Sequence, residues 1–167
     1  MAVVFSTDTD DSGLGLDGTV RNNAWKQAMA TAINTAIVAG GTAYTPSWTA
    51  TGTAPALGNG TSVGRYWQTD KLVTCSIVLT MGSTTTFGTG NYRLSLPFTA
   101  SSTNMTASVI AVDNSSTFIY AGYVGFVTTS TIQILAAGGT ASVWGQTFPF
   151  TWAVSDSIIL TFTYERT

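Results

Sequence analysis

Side chains able to do acid–base or nucleophilic chemistry are few in this sequence. Its 167 residues include 8 acidic side chains, a single cysteine and no histidine. The absence of histidine removes the commonest general base and the commonest ligand of catalytic zinc. Cys75 falls on the apolar phase of an alternating segment, where a thiol behaves as a small hydrophobic group. The sequence therefore predicts neither a nucleophilic cysteine nor a metal site.

Three carboxylates outside the N-terminal segment, Asp70, Asp113 and Asp156, stand in turn contexts. Aspartate is favoured in turns because its side chain hydrogen-bonds the nearby backbone. Glycoside hydrolysis needs two carboxyl groups about 5–10 Å apart, and the spacing brings no two of these together. We predict a protein that is not an enzyme and takes no cofactor. A cell-wall hydrolase stays open only if two of these carboxylates converge in a cleft.

The N-terminal segment contains two partial ligand motifs. Residues 13–18, Gly-Leu-Gly-Leu-Asp-Gly, match a dinucleotide fingerprint, but an aspartate-rich stretch stands where the preceding strand should be. Asp8 and Asp10 resemble the start of a calcium loop whose twelfth position is Thr19 instead of glutamate. Both motifs fail, which leaves only an irregular cation site shared between chains. We interpret residues 1–18 as an extended acidic arm.

Aromatic residues are the most suggestive group for ligand binding. A flat ring can stack on the apolar face of a sugar, although most aromatic side chains in a small β domain are core. Three tryptophans near predicted loops are the candidate glycan contacts: Trp48, Trp67 and Trp144.

One helix is predicted, over residues 20–38. Apolar residues there recur at spacing four in two adjacent rows, which makes an amphipathic stripe. The row expected to act as an oligomerisation or anchor seam is Trp25, Met29, Ile33 and Ile37. The stripe can pack either on the domain's own sheet or against the same helix in two further copies.

From residue 42 onward the pattern is that of β-strands. Apolar and polar residues alternate in 73–81, 92–96 and 158–164, which predicts strands with one buried face. Three more strands, Thr106–Val112, Thr117–Val127 and Thr131–Ala136, are apolar on both phases and are predicted to be more buried. Seven or eight short strands separated by turn signals indicate a mainly β fold, an antiparallel, jelly-roll-like sandwich. The predicted domains are 1–41, arm and helix, and 42–167, the sandwich.

Composition points to assembly. Only 8% of residues are charged and the net charge is −2, whereas 31 are threonine and 16 serine. A surface with so few charges has little repulsion between copies. The few scattered cations argue against nucleic-acid binding, and no apolar run is long enough to insert into a membrane. No signal-peptide pattern opens the chain, so we expect synthesis in a cytoplasm.

Several motifs between residues 42 and 165 also form a familiar set. They are Tyr44-Thr-Pro46-Ser-Trp48, Pro55-Ala-Leu57-Gly58-Asn-Gly60, Gly64-Arg65-Tyr66, Gly82-Ser-Thr-Thr-Thr-Phe87, Gly90-Asn-Tyr92-Arg-Leu-Ser95-Leu96-Pro97, Pro149-Phe150-Thr151-Trp152 and Thr163-Tyr164-Glu165. This set resembles the β domain of tailed-bacteriophage minor tail and fibre-like proteins. One departure is Asp70, where such sequences often carry glycine in the hairpin. The resemblance implies a virion surface component, commonly trimeric, and it supplies no catalytic residues.

The sequence thus leads to an expected function. We expect a homotrimeric fibre, spike or other tailed-phage virion component that contacts other virion proteins through residues 1–40 and a host-surface saccharide through the tryptophan loops. The alternative is a capsid decoration protein that clamps neighbouring capsomers and has no receptor role.

Overall fold

A computed structural model of the chain describes residues 27–33, 40–103, 106–137 and 142–167. The chain divides into two compact units, Met1–Gly40 and Gly41–Thr167. In the first unit, residues 27–33 form a helix (α1) in which Met29 and Ile33 are half-buried. Trp25 and Ile37, the other two residues of the predicted seam, lie outside the described residues. No helix in the described ranges has the length and apolar character needed to cross a membrane.

The second unit is a single antiparallel sheet of nine strands. In chain order the strands are β1 (Thr42–Tyr44), β2 (Trp48–Ala50), β3 (Thr61–Thr69), β4 (Leu72–Thr80), β5 (Tyr92–Ser95), β6 (Thr106–Asp113), β7 (Phe118–Thr128), β8 (Thr131–Ala136) and β9 (Ser157–Glu165). Their order across the sheet is β1-β3-β4-β9-β6-β7-β8-β5-β2.

The connection between β1 and β2 requires the sheet to curl. These strands are the two edges of the sheet, yet only residues 45–47 separate them in the chain. Eight strand spacings would place the edges of a flat sheet about 38 Å apart. Four residue steps reach at most about 14 Å. The sheet therefore bends into a half-barrel, and the predicted mainly β, sandwich-like fold is confirmed.

The concave side of the sheet holds the core. Alternate residues of β4 and β9 point inward and are almost completely buried, as the alternation predicts. The largest fully buried side chains are Trp144, Tyr92, Tyr164, Phe162, Ile77, Leu79, Met81, Leu94, Ile132, Ile134, Ile158 and Leu160. Cys75 lies among them, as predicted.

Strand β7 departs from the prediction of burial on both faces. Ile119 and Tyr123, on the outer phase of β7, are exposed, and Phe118, on the concave phase, is 64% exposed because it is the first residue of the strand, next to the distal turn. The prediction is wrong because apolar residues on both phases of a strand do not require that protein cover both faces of the sheet. The second unit has one sheet, so only its concave side is filled.

Candidate functional site

The two ends of the sheet differ, and we name them by their turns. The proximal end carries the β3–β4 turn at Asp70 and the end of β9 at Glu165. Gly41 also lies toward this end, because a Cβ built on it would come 2.7 Å from the Trp67 ring. The distal end carries the β6–β7 turn, residues 113–118, and the turn that leads into β9, residues 153–157. The chain thus enters the sheet from the proximal side.

Of the three candidate glycan contacts, the structure leaves one with a well-exposed ring. Trp67 lies on the outer side of β3 and is 41% exposed. Trp48 is half-buried and packs edge-on against Tyr92, with ring centroids 5.0 Å apart. Trp144 is 0% exposed, so its ring offers no face to a sugar and that prediction is wrong. Its backbone ties Ile134 to Tyr92, which holds the ring in the core.

Two carboxylates organise the distal end. Asp156 is completely buried; its Oδ1 accepts the backbone N–H of Asn114 at 2.9 Å and its Oδ2 accepts that of Ala153 at 2.6 Å. The Asp156 side chain therefore joins the two distal turns directly. A buried carboxylate is tolerated when backbone donors satisfy its oxygens.

Asp113 shapes the first of these turns. Its carboxylate accepts hydrogen bonds from the backbone and hydroxyl groups of both Ser115 and Ser116. The hydroxyl bonds from Ser116 and Ser115 are the main reason why the pKa of Asp113 lies below its usual value of 3.8. Nothing in the sequence places two carboxylates together, whereas in the structure Asp113 and Asp156 lie at the same end of the sheet. Both are occupied in holding turns, and an acid with a lowered pKa is a poor proton donor near neutral pH.

The core thiol is not poised for reaction. Burial raises the pKa of Cys75 to about 12, although a hydrogen bond with Tyr44 opposes the shift. The thiolate is the nucleophilic form, so a thiol with this pKa is inert near neutral pH. Among the described residues, no group of three or more histidine, cysteine or carboxylate side chains could hold a metal ion.

Threonine hydroxyls tie two loop segments together beyond the ends of β2 and β5. Residues 51–60 and 82–91 run side by side, and threonine Oγ1 atoms accept backbone N–H groups across them. The pairs are Asn91 with Thr51 at 2.9 Å, Thr53 with Thr89 at 2.8 Å, Ala56 with Thr86 at 3.1 Å and Asn59 with Thr84 at 2.9 Å. Part of the unusual threonine content therefore serves as internal hydrogen-bonding groups that add to the backbone hydrogen bonds between the two segments.

Exposed charge is distributed unevenly over the second unit. Four charged residues lie at the proximal end: Asp70, Lys71, Glu165 and Arg166. In the described part of the distal end, the only charged residues are Asp113 and Asp156, which are buried. The distal end thus presents hydroxyl and apolar groups to its surroundings. Exposed side chains there include Phe118, Ile119 and Val154, the last of which is 55% exposed.

The outer side of the sheet carries an apolar row that crosses five strands. The strand register places Val63 of β3 opposite Val78 of β4, which lies opposite Ile159 of β9. Ile159 in turn faces Ile110 of β6, and Ile110 faces Ala121 of β7. We call this set, Val63, Val78, Ile159, Ile110 and Ala121, the outer apolar row. With four strand spacings it is about 19 Å long.

The outer apolar row extends toward the distal end through a second pair. Val112 of β6 lies opposite Ile119 of β7, two residues further along each strand than the Ile110–Ala121 pair. Polar residues border the row on the neighbouring strands, with Thr80 and Ser157 on the distal side and Ser76 and Thr161 on the proximal side. The sequence contains the signal for this surface, namely at least one aliphatic residue on the polar phase of each of the five strands. Sequence alone does not give the register that aligns these residues.

Comparison of the chain with protein-family models, with curated proteins and with solved structures finds no match.

Proposed function

We propose that this protein is a structural component of a tailed-phage virion that assembles with copies of itself. The observation that carries the proposal is the absence of exposed charge from the described distal end, together with the apolar row on the outer side of the sheet. A single soluble protein seldom combines a surface so poor in charge with a large contiguous apolar patch. Inside a particle, such surfaces face neighbouring subunits.

In this proposal, residues 1–40 attach the protein to the virion and the second unit is displayed. The two buried carboxylates hold the distal turns in one arrangement before any contact is made. Such preorganisation lowers the entropy lost on binding. We expect three copies to associate through the helical stripe of residues 20–38.

A host-surface saccharide is the proposed ligand of the exposed part of the second unit. Trp67 supports this part of the proposal, because it alone among the three candidate tryptophans has a well-exposed ring. The Asp113–Asp156 pair favours no hydrolase, since both carboxylates are engaged with turn backbone and hydroxyl groups.

Light scattering with size exclusion on the purified chain tests the assembly proposal. We expect a mass that is a multiple of 17.4 kDa and that rises with concentration. Deletion of residues 1–18 is expected to leave the second unit folded and to abolish incorporation into particles. A monomer at every concentration, together with normal incorporation of the deletion variant, would contradict the proposal.

A further inference from the structure

The outer apolar row is a surface with no assigned partner. Its exposed members and neighbours include Val63 at 51% and Ile119 at 65% exposure. Five aliphatic side chains in register across five strands are more than the scattered surface hydrophobes of an ordinary protein. A row of this kind is typical of a surface that contacts another apolar surface.

The distribution of charged side chains favours a second copy of this chain as the partner that covers the row. On the outer side of the five strands that form the row, the described charged side chains are Arg65 of β3, two residues from Val63 on the proximal side, and Glu165 at the proximal tip of β9. When two copies of one surface meet about a two-fold axis, every charge near the axis approaches its own copy. The row itself and its distal border carry no charged side chain among the described residues, so a two-fold axis that passes through them brings no charge directly onto its own copy. The serine and threonine residues that border the row can hydrogen-bond to each other across such a contact.

The shape of the surface agrees with sheet-on-sheet packing. Valine and isoleucine side chains on adjacent strands form a low, even layer, and two such layers stack about 10 Å apart in β-sandwiches. The row and the residues that border it occupy five positions along each strand, for example Ser76–Thr80 of β4 and Ser157–Thr161 of β9. Five strands of this extent give a footprint of about 19 by 17 Å, or roughly 320 Å². A standard stable interface buries about 800 Å² per partner, so we expect a weak, concentration-dependent contact.

We propose that the outer apolar row packs against the same row of a second copy of this chain, sheet on sheet. This inference rests on the proposed self-assembly and names the surface that performs it. The contact is isologous, so it joins copies in pairs and is separate from the three-fold contact proposed for residues 20–38. In a particle, the fixed neighbours would raise the effective concentration and make a weak contact sufficient.

The test is sedimentation equilibrium of the full chain over a range of concentrations, with three lysine variants. Val63→Lys and Ile119→Lys put a charge in or beside the row at exposed positions that the fold tolerates. Leu72→Lys is the matched control, because Leu72 is 52% exposed on the same outer side but lies at the proximal end. Circular dichroism and thermal melting check that all three variants remain folded.

We expect Val63→Lys and Ile119→Lys to weaken the pairwise association by about tenfold or more, since a two-fold contact contains each substitution twice. Leu72→Lys should associate like the parent chain. If the parent chain associates and all three variants behave alike, the inference is overturned while the proposed assembly stands. If the parent chain is a monomer at every concentration, the proposed assembly fails and the inference fails with it.

Discussion

Replacing Asp156 by asparagine is the sharpest test of how the distal end is held. The carboxylate is completely buried and accepts one backbone N–H on each oxygen, from Asn114 and from Ala153. Asparagine keeps one acceptor, but its amide nitrogen is a donor and faces the second N–H. A buried donor without an acceptor costs about 1–3 kcal/mol, and a hydrogen bond to a charged group contributes about 1.5–3 kcal/mol. We therefore expect Asp156→Asn to lower the free energy of unfolding by about 3 kcal/mol.

Urea denaturation followed by tryptophan fluorescence measures this loss, because Trp144 and Trp152 are buried and report on the core. With an m-value of about 2 kcal/mol/M, a loss of 3 kcal/mol lowers the midpoint by about 1.5 M. Asp70→Asn is the matched control. It removes the same charge from an exposed turn, and asparagine tolerates the positive φ of 54° found there. We expect the control to stay within about 0.5 kcal/mol of the parent chain.

Hydrogen exchange separates a local effect from a general loss of stability. In Asp156→Asn, the amides of residues 114 and 153 should exchange faster than those of β4 under conditions that favour the native state. The reasoning is refuted if Asp156→Asn unfolds at the same urea concentration as Asp70→Asn. It is also refuted if the two turn amides remain as protected as in the parent chain.

Three further perturbations test other parts of the structure. Asp113 has a folded-state pKa below 3.8, so its carboxylate stabilises the fold above about pH 3.8 and this stabilisation is lost as the pH falls toward the folded-state pKa. The urea midpoint of Asp113→Asn should therefore depend less on pH in this acid range than the midpoint of the parent chain. Gly64→Ala should lower the free energy of unfolding by about 1–3 kcal/mol, because its Cβ would come 2.5 Å from the Tyr44 carbonyl oxygen. In the same denaturation assay Gly40→Ala should be nearly neutral, because a Cβ added at Gly40 meets no atom within 4 Å. Trp67→Ala should abolish saccharide binding on a glycan array and leave the fold intact; unchanged binding would exclude this ring as the platform.

Much of the fold could be predicted from short-range pattern. The alternation in residues 73–81 and 158–164 predicts β4 and β9 to within a residue or so, because each strand has one face in the core. Asp70 serves the β3–β4 turn at φ 54°, a conformation that aspartate adopts more readily than most residues. The two edge strands were not predicted, since β1 and β2 have only three residues each, too few for a period-two pattern to register.

The exposure of particular side chains depended on contacts distant in sequence. Trp144 stands in a loop-like segment, and it is buried only because its backbone bridges Ile134 and Tyr92. Ile110 and Ile159 form one surface because β6 and β9, which are far apart in the chain, pair in a particular register. Local pattern can find an aliphatic residue on the polar phase of a strand. It does not contain the alignment that turns several such residues into one surface.

The abundance of hydroxyl groups has two physical roles, and only one of them concerns assembly. In the paired segments 51–60 and 82–91, threonine hydroxyls accept backbone donors, so their number reflects an internal need. On the outer side of β4 and β9, serine and threonine instead border the apolar row and face outward. A charged residue at the first group would disrupt the fold, whereas a charged residue at the second would be tolerated by a single copy. Folding alone therefore does not account for the absence of charge from the outer apolar row and its distal border, and the association of copies proposed above would account for it.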